Sequence, residues 1–457
     1  YKAYVGNMTG LFSFDEEKLA KDFNDTIIED ELDPNELDAK PFDGNILQVH
    51  TETTFPRRKS SVYRRLSIKS AASVTSQDFI IPANYQYSDE GNPESNVSKR
   101  RKVLSDFTPI KVLGKGAYGK VHLVQDRHNK RLFAQKQLRK PTINIHEEQG
   151  DIHTKHVKRT ISERKILTNI THHPNIVKLF YALQDSDKFY LILEYIPGGE
   201  LFHHLTSNNS LGNVFKEEDV AFYAAQMALG LKHLHELGIV YRDLKPENCL
   251  LNSAGHLVLT DFGLSKSIGE DPENSCKSII GTPEYMAPEI LKGDEYDYLV
   301  DWWSLGCVIY DMMTGKPPFT GNSHKVIQDK IIKNKLKMPF YFSMDAKDLL
   351  NKLLNKNPAK RFPVDEKWSI FESHRFFRKL NWKSLKAQDD SCNPPIIPVI
   401  TDPILAENFS EEFTSMAISD FGGDQGINIP HNSDYNINYS FKGFSYTASN
   451  SFVDRFC

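Results

Sequence analysis

Gly114-Lys115-Gly116-Ala117-Tyr118-Gly119-Lys120-Val121 sets three glycines at a G-x-G-x-x-G-x-V spacing between two strand-like runs, Pro109 to Leu113 and Val121 to Val124. Without Cβ atoms, such a turn can lie close over phosphate groups with its N–H groups directed at them. A dinucleotide fold needs a helix directly after the glycines, and none follows here. An ordinary hairpin turn needs only one or two glycines. Further along, charged and amide side chains come in a fixed order: Lys136 in Phe133-Ala134-Gln135-Lys136, then Glu163, then Tyr241-Arg242-Asp243-Leu244-Lys245-Pro246-Glu247-Asn248, then Asp261-Phe262-Gly263, then Ala287-Pro288-Glu289. A lysine can neutralise phosphate oxygens, and aspartate with asparagine supplies the hard oxygen ligands that a small divalent cation takes.

The elements that position these groups are legible in the hydrophobic pattern. Strand-like runs at Leu132 to Ala134, Ile176 to Ala182 and Phe189 to Tyr195, interrupted by one helical segment at Val157 to Ile170, predict a small, mostly antiparallel lobe. Pro197, Gly198 and Gly199 punctuate the chain, and the period then becomes helical. Phe215, Val220, Tyr223, Met227, Leu231 and Leu234 share a face, with Glu217, Glu218 and Asp219 in the first turn. Helical patterns recur at Val300 to Met313, Val326 to Ile332 and Ala346 to Leu354, and the packed region is expected to close near Phe376 and Phe377.

Composition removes several function classes. The 457 residues are 39% hydrophobic and 25% charged, which is globular, and a net charge of -4 gives no basic field for nucleic acid or an anionic membrane. No apolar run approaches the roughly 20 residues of a spanning helix. Five cysteines, Cys249, Cys276, Cys307, Cys392 and Cys457, are scattered without a C-x-x-C pair, so neither a disulfide framework nor a zinc ribbon is expected. Cys457 is the last residue, not four from the end as a prenylation box requires. No leader-like pattern opens the chain at Tyr1. Residues 1–106 carry blocks of charge, with eleven acids against two lysines from Asp15 to Asp38 and six basic residues from Arg57 to Lys69. That is linker composition.

The ordered motif set resembles the signature of the protein kinases, over Phe107 to Cys457 or 351 of 457 residues. The resemblance implies an α+β, bilobal fold: a small antiparallel β lobe with one key helix at 107–196 and a large, mainly α lobe at 197–377. A largely disordered regulatory segment, 1–106, would precede it, and a regulatory tail, 378–457, would follow. It implies ATP and Mg²⁺ as cofactors. Gly114, Lys115, Gly116, Ala117, Tyr118, Gly119, Lys120 and Val121 would cover the phosphates, Lys136 would meet the α- and β-phosphates, and Glu163 would hold Lys136 by an ion pair. Asn248 and Asp261 would ligate Mg²⁺, Asp243 would take the substrate hydroxyl proton, and Lys245 would steady the transferring group. The adenine edge would meet the backbone at Glu194 and Ile196, with Leu193 as gatekeeper. Glu200 and Glu247, counted with the cleft residues, resemble acids that hold an arginine lying before the phosphoacceptor, and Lys245 marks serine/threonine rather than tyrosine specificity. Glu289 with Arg361 resembles a buried structural ion pair, and Asp301 an acid that anchors the catalytic loop. Gln135, at a position the family usually fills with an apolar side chain, puts the packing beside the adenine pocket in doubt.

Within the kinases, Tyr241-Arg242-Asp243 and the tail run Phe441-Lys442-Gly443-Phe444-Ser445-Tyr446 resemble the AGC group. There, two tail aromatics seat in a small-lobe groove, and a phosphate on Ser445 would fasten them. Ser278 takes the activation-loop phosphosite, usually threonine, with Arg242 as the expected phosphate partner. Asp301 to Gly306, Pro317 to Gly321 and Asn408 to Thr414 are most similar to the ribosomal-protein-S-six kinases and their mitogen- and stress-activated relatives. Thr9 to Asp15 resembles the start of the former, where a short motif recruits the target-of-rapamycin complex, although Glu16 ends the match with a charge. The implied partners are protein substrates with Arg before Ser or Thr, a phosphoinositide-dependent kinase acting at Ser278 and the target-of-rapamycin complex acting at Ser445. The chain is expected to be a monomer in the cytoplasm and also the nucleus, without direct nucleic-acid contact. Two alternatives stand beside this reading: the first kinase domain of a two-kinase relative, and a pseudokinase scaffold. The scaffold would have lost Lys136, Asp243 or Asp261, and all three are present.

Three weaker features remain. Arg64-Arg65-Leu66-Ser67 fits an Arg-directed phosphosite or an autoinhibitory segment, against the plain alternative of a solvated linker. Together with Lys99 to Lys102 the basic run also fits a nuclear signal. His146, His153 and His156 have spacings that do not suit a metal. The Ser-Pro or Thr-Pro turn site expected after Thr414 is missing, with Ser415 and Ser419 as stand-ins.

Overall fold

Pro109 has no backbone N–H to give a ladder, and the strand that carries it, β1 (Phe107–Lys115), lies accordingly at a sheet edge. It pairs antiparallel with β2 (Gly119–Asp126), Lys115 opposite Lys120, with register shifts at Pro109/Lys111 and Val112/Gly114 that bend the hairpin. The computed structural model describes residues 101–116, 119–140, 147–170, 172–208, 214–268, 276–389, 391–418, 441, 443–449 and 452–453. The expectations placed on Phe12 to Glu16, Ser67, Ala117, Tyr118, Ser419 and Cys457 lie outside the described residues, as do the side chains of His146, His153 and His156.

The sheet runs β1-β2-β3-β5-β4-β10, with β3 at Leu132–Arg139, β4 at Leu179–Gln184, β5 at Lys188–Glu194 and β10 at Tyr446–Thr447. Every pairing is antiparallel. The last strand comes from the tail and covers the edge that β4 would otherwise leave open. Helix α1 spans Glu147–Asn169, ten residues longer at its start than the predicted Val157 to Ile170. Its first turns are polar, from Glu147 through Asp151, so they carry no apolar stripe for a periodicity argument to find.

The large lobe is helical: α2 (Leu201–Asn208), α3 (Glu217–Glu236), α4 (Pro288–Leu291), α5 (Leu299–Thr314), α6 (His324–Lys333), α7 (Met344–Leu353), α8 (Trp368–Glu372) and α9 (Trp382–Ala387). Helix α5 is buried on all sides from Val300 to Met313 and stops at Gly315, whose φ of 73° suits a residue without Cβ. Two short ribbons, β6 (Ile239–Val240) with β9 (Lys266–Ser267) and β7 (Cys249–Leu251) with β8 (Leu257–Leu259), hold the loops that carry Asp243 and Asp261. Packing continues past Phe377, since Trp382 stands 5.4 Å from the Phe377 ring and 5.6 Å from Trp368. No described helix is long and apolar enough to cross a membrane.

From 391 to 418 the tail runs back over both lobes and includes α10 (Glu411–Thr414). Asn408 donates to the Pro197 carbonyl at 3.2 Å, the Tyr195 hydroxyl donates to Pro403 O at 3.0 Å, and Lys111 Nζ donates to Leu405 O at 2.8 Å. The crossing point needs Gly199: its φ is +67°, and a Cβ there would sit 2.0 Å from Asn408 O. Gly199→Ala is expected to displace this crossing at a cost of roughly 1–2 kcal/mol, as for any left-handed non-glycine residue. A lower Tm by scanning calorimetry checks this.

Candidate active site

Strand alternation turns Ala134 and Lys136 of β3 to the face beneath the glycine turn, where both line a cleft between the lobes. Leu113, Val121, Leu193, Leu250 and Phe409 make its walls apolar. Lys136, Glu163 and Asp261 stand at its polar end. Glu194 and Ile196, the two residues the sequence places at the hinge, border it together with Tyr195, and the Glu194 carboxylate is paired to Lys178 Nζ at 2.6 Å. Gln135 corrects an expectation: it is fully buried on the opposite face of β3, accepting from Gln137 Nε2 at 2.8 Å, and does not border the cleft. A period of two separates neighbours on a strand, so adjacency to Lys136 in sequence places Gln135 away from it in space.

Lys136 Nζ donates to Glu163 Oε1 at 2.8 Å and to Asp261 Oδ1 at 2.9 Å. Burial works against its charge, but Asp261 and Glu163 outweigh burial and raise its pKa. The Asp261 carboxyl is held below its usual range because Lys136 overcomes the opposing effect of burial. Burial, set against Lys136, pushes Glu163 up. The Gly263 N–H also donates to Asp261 Oδ1, at 3.0 Å. Asp261 has φ 53° and Arg242 φ 66°, two non-glycine residues in the left-handed region at the two loops that meet here.

The second cluster is built on the loop after β6. Asp243 Oδ2 accepts from Asn248 Nδ2 at 2.8 Å and lies 3.2 Å from Lys245 Nζ. Burial pushes the Asp243 carboxyl up to about 6. Thr260 ties this loop to Asp261, its N–H donating to Asn248 O at 3.0 Å. Beneath, Asp301 accepts from the N–H groups of Tyr241 and Arg242 at 2.8 and 2.7 Å and from His235 Nε2 at 2.8 Å. His235 is pushed up to about 10, because Asp365 and Asp301 outweigh its complete burial. The loop therefore rests on a buried, charge-assisted network. Arg361 pairs with Glu289 through two nitrogens, at 2.5 and 2.9 Å.

Glu200 and Glu247 do not border the cleft cavity but form an acid pocket next to it. Burial and the Glu247 charge push Glu200 up to about 8. Glu247 Oε2 is buried with no hydrogen-bond partner among the described residues. Sequence reasoning missed Asp311 of α5, whose carboxyl burial pushes up to about 7 and on which the Glu247 charge acts. It also missed Phe409, which stacks on Tyr195 at 5.9 Å, and Thr282, which accepts from Lys245 Nζ at 3.2 Å. No local signal marks these residues, since each reaches the site from a distant part of the chain.

Ser278 and Ser445, the expected phosphosites, are both exposed. The Ser278 carbonyl accepts from the Tyr296 hydroxyl at 2.8 Å, and Arg242 reaches that hydroxyl at 3.2 Å and Leu264 O at 2.7 Å, so Tyr296 stands between the expected partners. Next to Ser445, Phe444 is buried with its ring 4.4 Å from Phe189, and Phe441 lies 5.2 Å from the same ring. Arg164 of α1 donates to the carbonyls of Phe444 and Ser445 at 2.9 and 3.4 Å. The helix that carries Glu163 is thus fastened to the tail. Phe444→Ala is expected to remove about 3–5 kcal/mol of local packing, read as faster hydrogen exchange over 443–449 together with a lower rate of phosphoryl transfer.

The residues fit ATP and Mg²⁺. A slot with apolar walls ends at a buried ammonium, with a carboxylate and an amide, Asp261 and Asn248, bridged through Thr260. Residues 107–372 match the family described as protein kinase domain. The chain is 48% identical to serine/threonine-protein kinase YPK3 of Saccharomyces cerevisiae, over 77% of this chain and 76% of that protein. It is 39% identical to serine/threonine-protein kinase Sgk1 of Danio rerio, over 78% of each. Against ribosomal protein S6 kinase 2 alpha of Xenopus laevis it is 41% identical, over 75% of this chain and 44% of that protein. Kinases of this kind use ATP and Mg²⁺, act on protein substrates and are regulated by upstream kinases. A bilobal fold, a lysine held between two carboxylates and this degree of likeness lead to one conclusion: the chain belongs to the protein kinase family, as a serine/threonine kinase of the AGC group.

Proposed function

We propose that the chain phosphorylates Ser or Thr in proteins that carry arginine before the phosphoacceptor, in growth signalling of the ribosomal-protein-S-six-kinase type. The observation that supports it most is the meeting of Lys136, Glu163 and Asp261 at one end of an apolar-walled cleft with Asp243, Lys245 and Asn248 at the adjoining loop. Asn248 and Asp261 would hold Mg²⁺, which when bound neutralises charge on the phosphate oxygens. Lys136, kept in place by Glu163, binds phosphate oxygens. Asp243 holds the substrate hydroxyl and takes its proton, and Lys245, 3.2 Å away, balances charge on the transferring group. The backbone around Gly114, Gly116 and Gly119 would cover the phosphates, and Leu193, Glu194 and Ile196 would meet the adenine edge.

Glu200 and Glu247 select the arginine. Burial and the Glu247 charge push the Glu200 carboxyl up to about 8, so its charged form is disfavoured at neutral pH. The ionised form binds a guanidinium, so KM for an arginine-containing peptide is expected to fall as pH rises from 7 to 9, and Glu200→Gln should flatten that profile. An arginine-to-alanine scan of the peptide tests the pocket directly. A rate indifferent to every upstream arginine contradicts Arg-directed specificity. Action in the cytoplasm and nucleus, activation at Ser278 by a phosphoinositide-dependent kinase, and activation at Ser445 by the target-of-rapamycin complex belong to the same proposal. The two activation steps are supported by the exposure of both serines and by the aromatic docking beside Ser445. Phosphate mapping of the chain after incubation with each purified upstream kinase tests the two serines.

A further inference from the structure

We propose that Ser67 is a substrate of this chain's own active site, phosphorylated intramolecularly, with Arg64 and Arg65 guided by the acid pocket of Glu200, Glu247 and Asp311. This rests on the Arg-directed reading above.

On the enzyme side, the pocket holds more buried carboxylate than nearby cation. Glu200 and Asp311 are each raised first by burial and then by the Glu247 charge. Glu247 Oε2 is buried and has no hydrogen-bond partner among the described residues. Asp311 accepts from a neutral donor, the Tyr285 hydroxyl at 2.6 Å. Lys245 is the cation that acts on Glu200 and Glu247, and it is shared with Asp243 at 3.2 Å and Thr282 at 3.2 Å. Two adjacent guanidiniums would supply the missing donors and charge in bidentate form.

On the substrate side, adjacent arginines three and two residues before a Ser or Thr occur at two places in the sequence, before Ser60 and before Ser67. Ser60 is preceded directly by Lys59, which would bring a third cation next to Lys245, where the acceptor hydroxyl must sit. Ser67 lies between Leu66 and Ile68 and carries no such conflict. Ser67 is 34 residues before Arg101, the first described residue. Extended chain covers roughly 3.3–3.6 Å per residue, so this tether can span on the order of 110 Å. A kinase-sized fold has a radius of gyration of only about 20 Å. Covalent attachment raises the local concentration of the segment to the millimolar range for spans of this kind, approximately.

In the reaction, Ser67 Oγ forms a bond to the γ-phosphorus of ATP as the bond from that phosphorus to the β–γ bridging oxygen breaks. ADP leaves with that electron pair, and the hydroxyl proton passes to the Asp243 carboxylate. The established kinase activity supplies the phosphoryl donor.

The test uses the full chain with labelled Mg-ATP, site mapping by mass spectrometry, several protein concentrations, and a separate peptide containing Arg-Arg-Leu-Ser. The expected result is label at Ser67 with a first-order rate constant independent of protein concentration. Ser67→Ala should lose that label and retain activity on the peptide, while Glu247→Gln should slow both reactions about 10-fold or more. Phosphorylation of the peptide with Ser67 left unlabelled overturns this inference and leaves Arg-directed specificity standing. A rate that rises in proportion to protein concentration overturns the intramolecular claim. Failure to label Ser67 or the peptide, while an arginine-free peptide is phosphorylated, overturns both readings.

Discussion

Asp243→Asn is expected to lower kcat for peptide phosphorylation by about 10²–10⁴-fold, the usual contribution of a positioned general base. The side chain is buried and held by Asn248 at 2.8 Å and by Lys245 at 3.2 Å, so an amide of the same shape keeps the packing. It lies on the loop after β6 and does not itself line the cleft. KM for ATP should therefore change far less than kcat. Steady-state kinetics with ATP and peptide varied in turn separates the two, and equal losses in ATP binding and in kcat would indicate a structural role instead.

Arg361→Ala is expected to carry the largest stability loss, about 3–5 kcal/mol, because it leaves the Glu289 carboxylate buried without its partner. Arg361 is only 2% exposed. Besides Glu289 it donates to Leu299 O and Asn355 O, both at 3.0 Å, and its guanidinium lies 5.1 Å from the Trp303 ring centroid. Removing it strands several acceptors together with one charge. For a domain of this size each kcal/mol moves Tm by roughly 2–4 °C, so the fall should be on the order of 10 °C by scanning calorimetry. A double change, Glu289→Leu with Arg361→Leu, should recover part of the loss, since no charge then remains buried alone.

The chemistry was legible in sequence wherever one short segment carries it. The glycine turn, Lys136, the Asp243 to Asn248 loop and Asp261 each sit in a local pattern whose residue types follow from handling phosphate and a hard cation. The order of strands and helices followed from apolar spacing, and the polar first turns of α1 did not, because a helix held at its far end needs no stripe along its whole length. Residues delivered by long-range topology left no such mark. Phe409 comes from the tail, Asp311 from the middle of a buried helix and Thr282 from the activation segment, and only the fold brings them beside the cleft. Gln135 shows the converse, since a neighbour of a catalytic residue in sequence faces the other way on a strand. Tyr296 entered between Arg242 and Ser278 for the same reason, as a hydroxyl from a remote turn.

The most direct measurement is phosphate transfer from labelled Mg-ATP to an arginine-containing serine peptide, with protein phosphorylated at Ser278 and Ser445, beside Asp261→Ala and with ATP binding measured on both. Asp261 is buried at the meeting point of Lys136 and the Gly263 N–H, so its loss removes the proposed metal ligand and one partner of the lysine. The expected result is transfer by the unaltered chain and loss of at least about 10²-fold in the folded variant. Transfer that persists in Asp261→Ala, or an unaltered chain that binds ATP and never transfers phosphate, would contradict catalysis at this site.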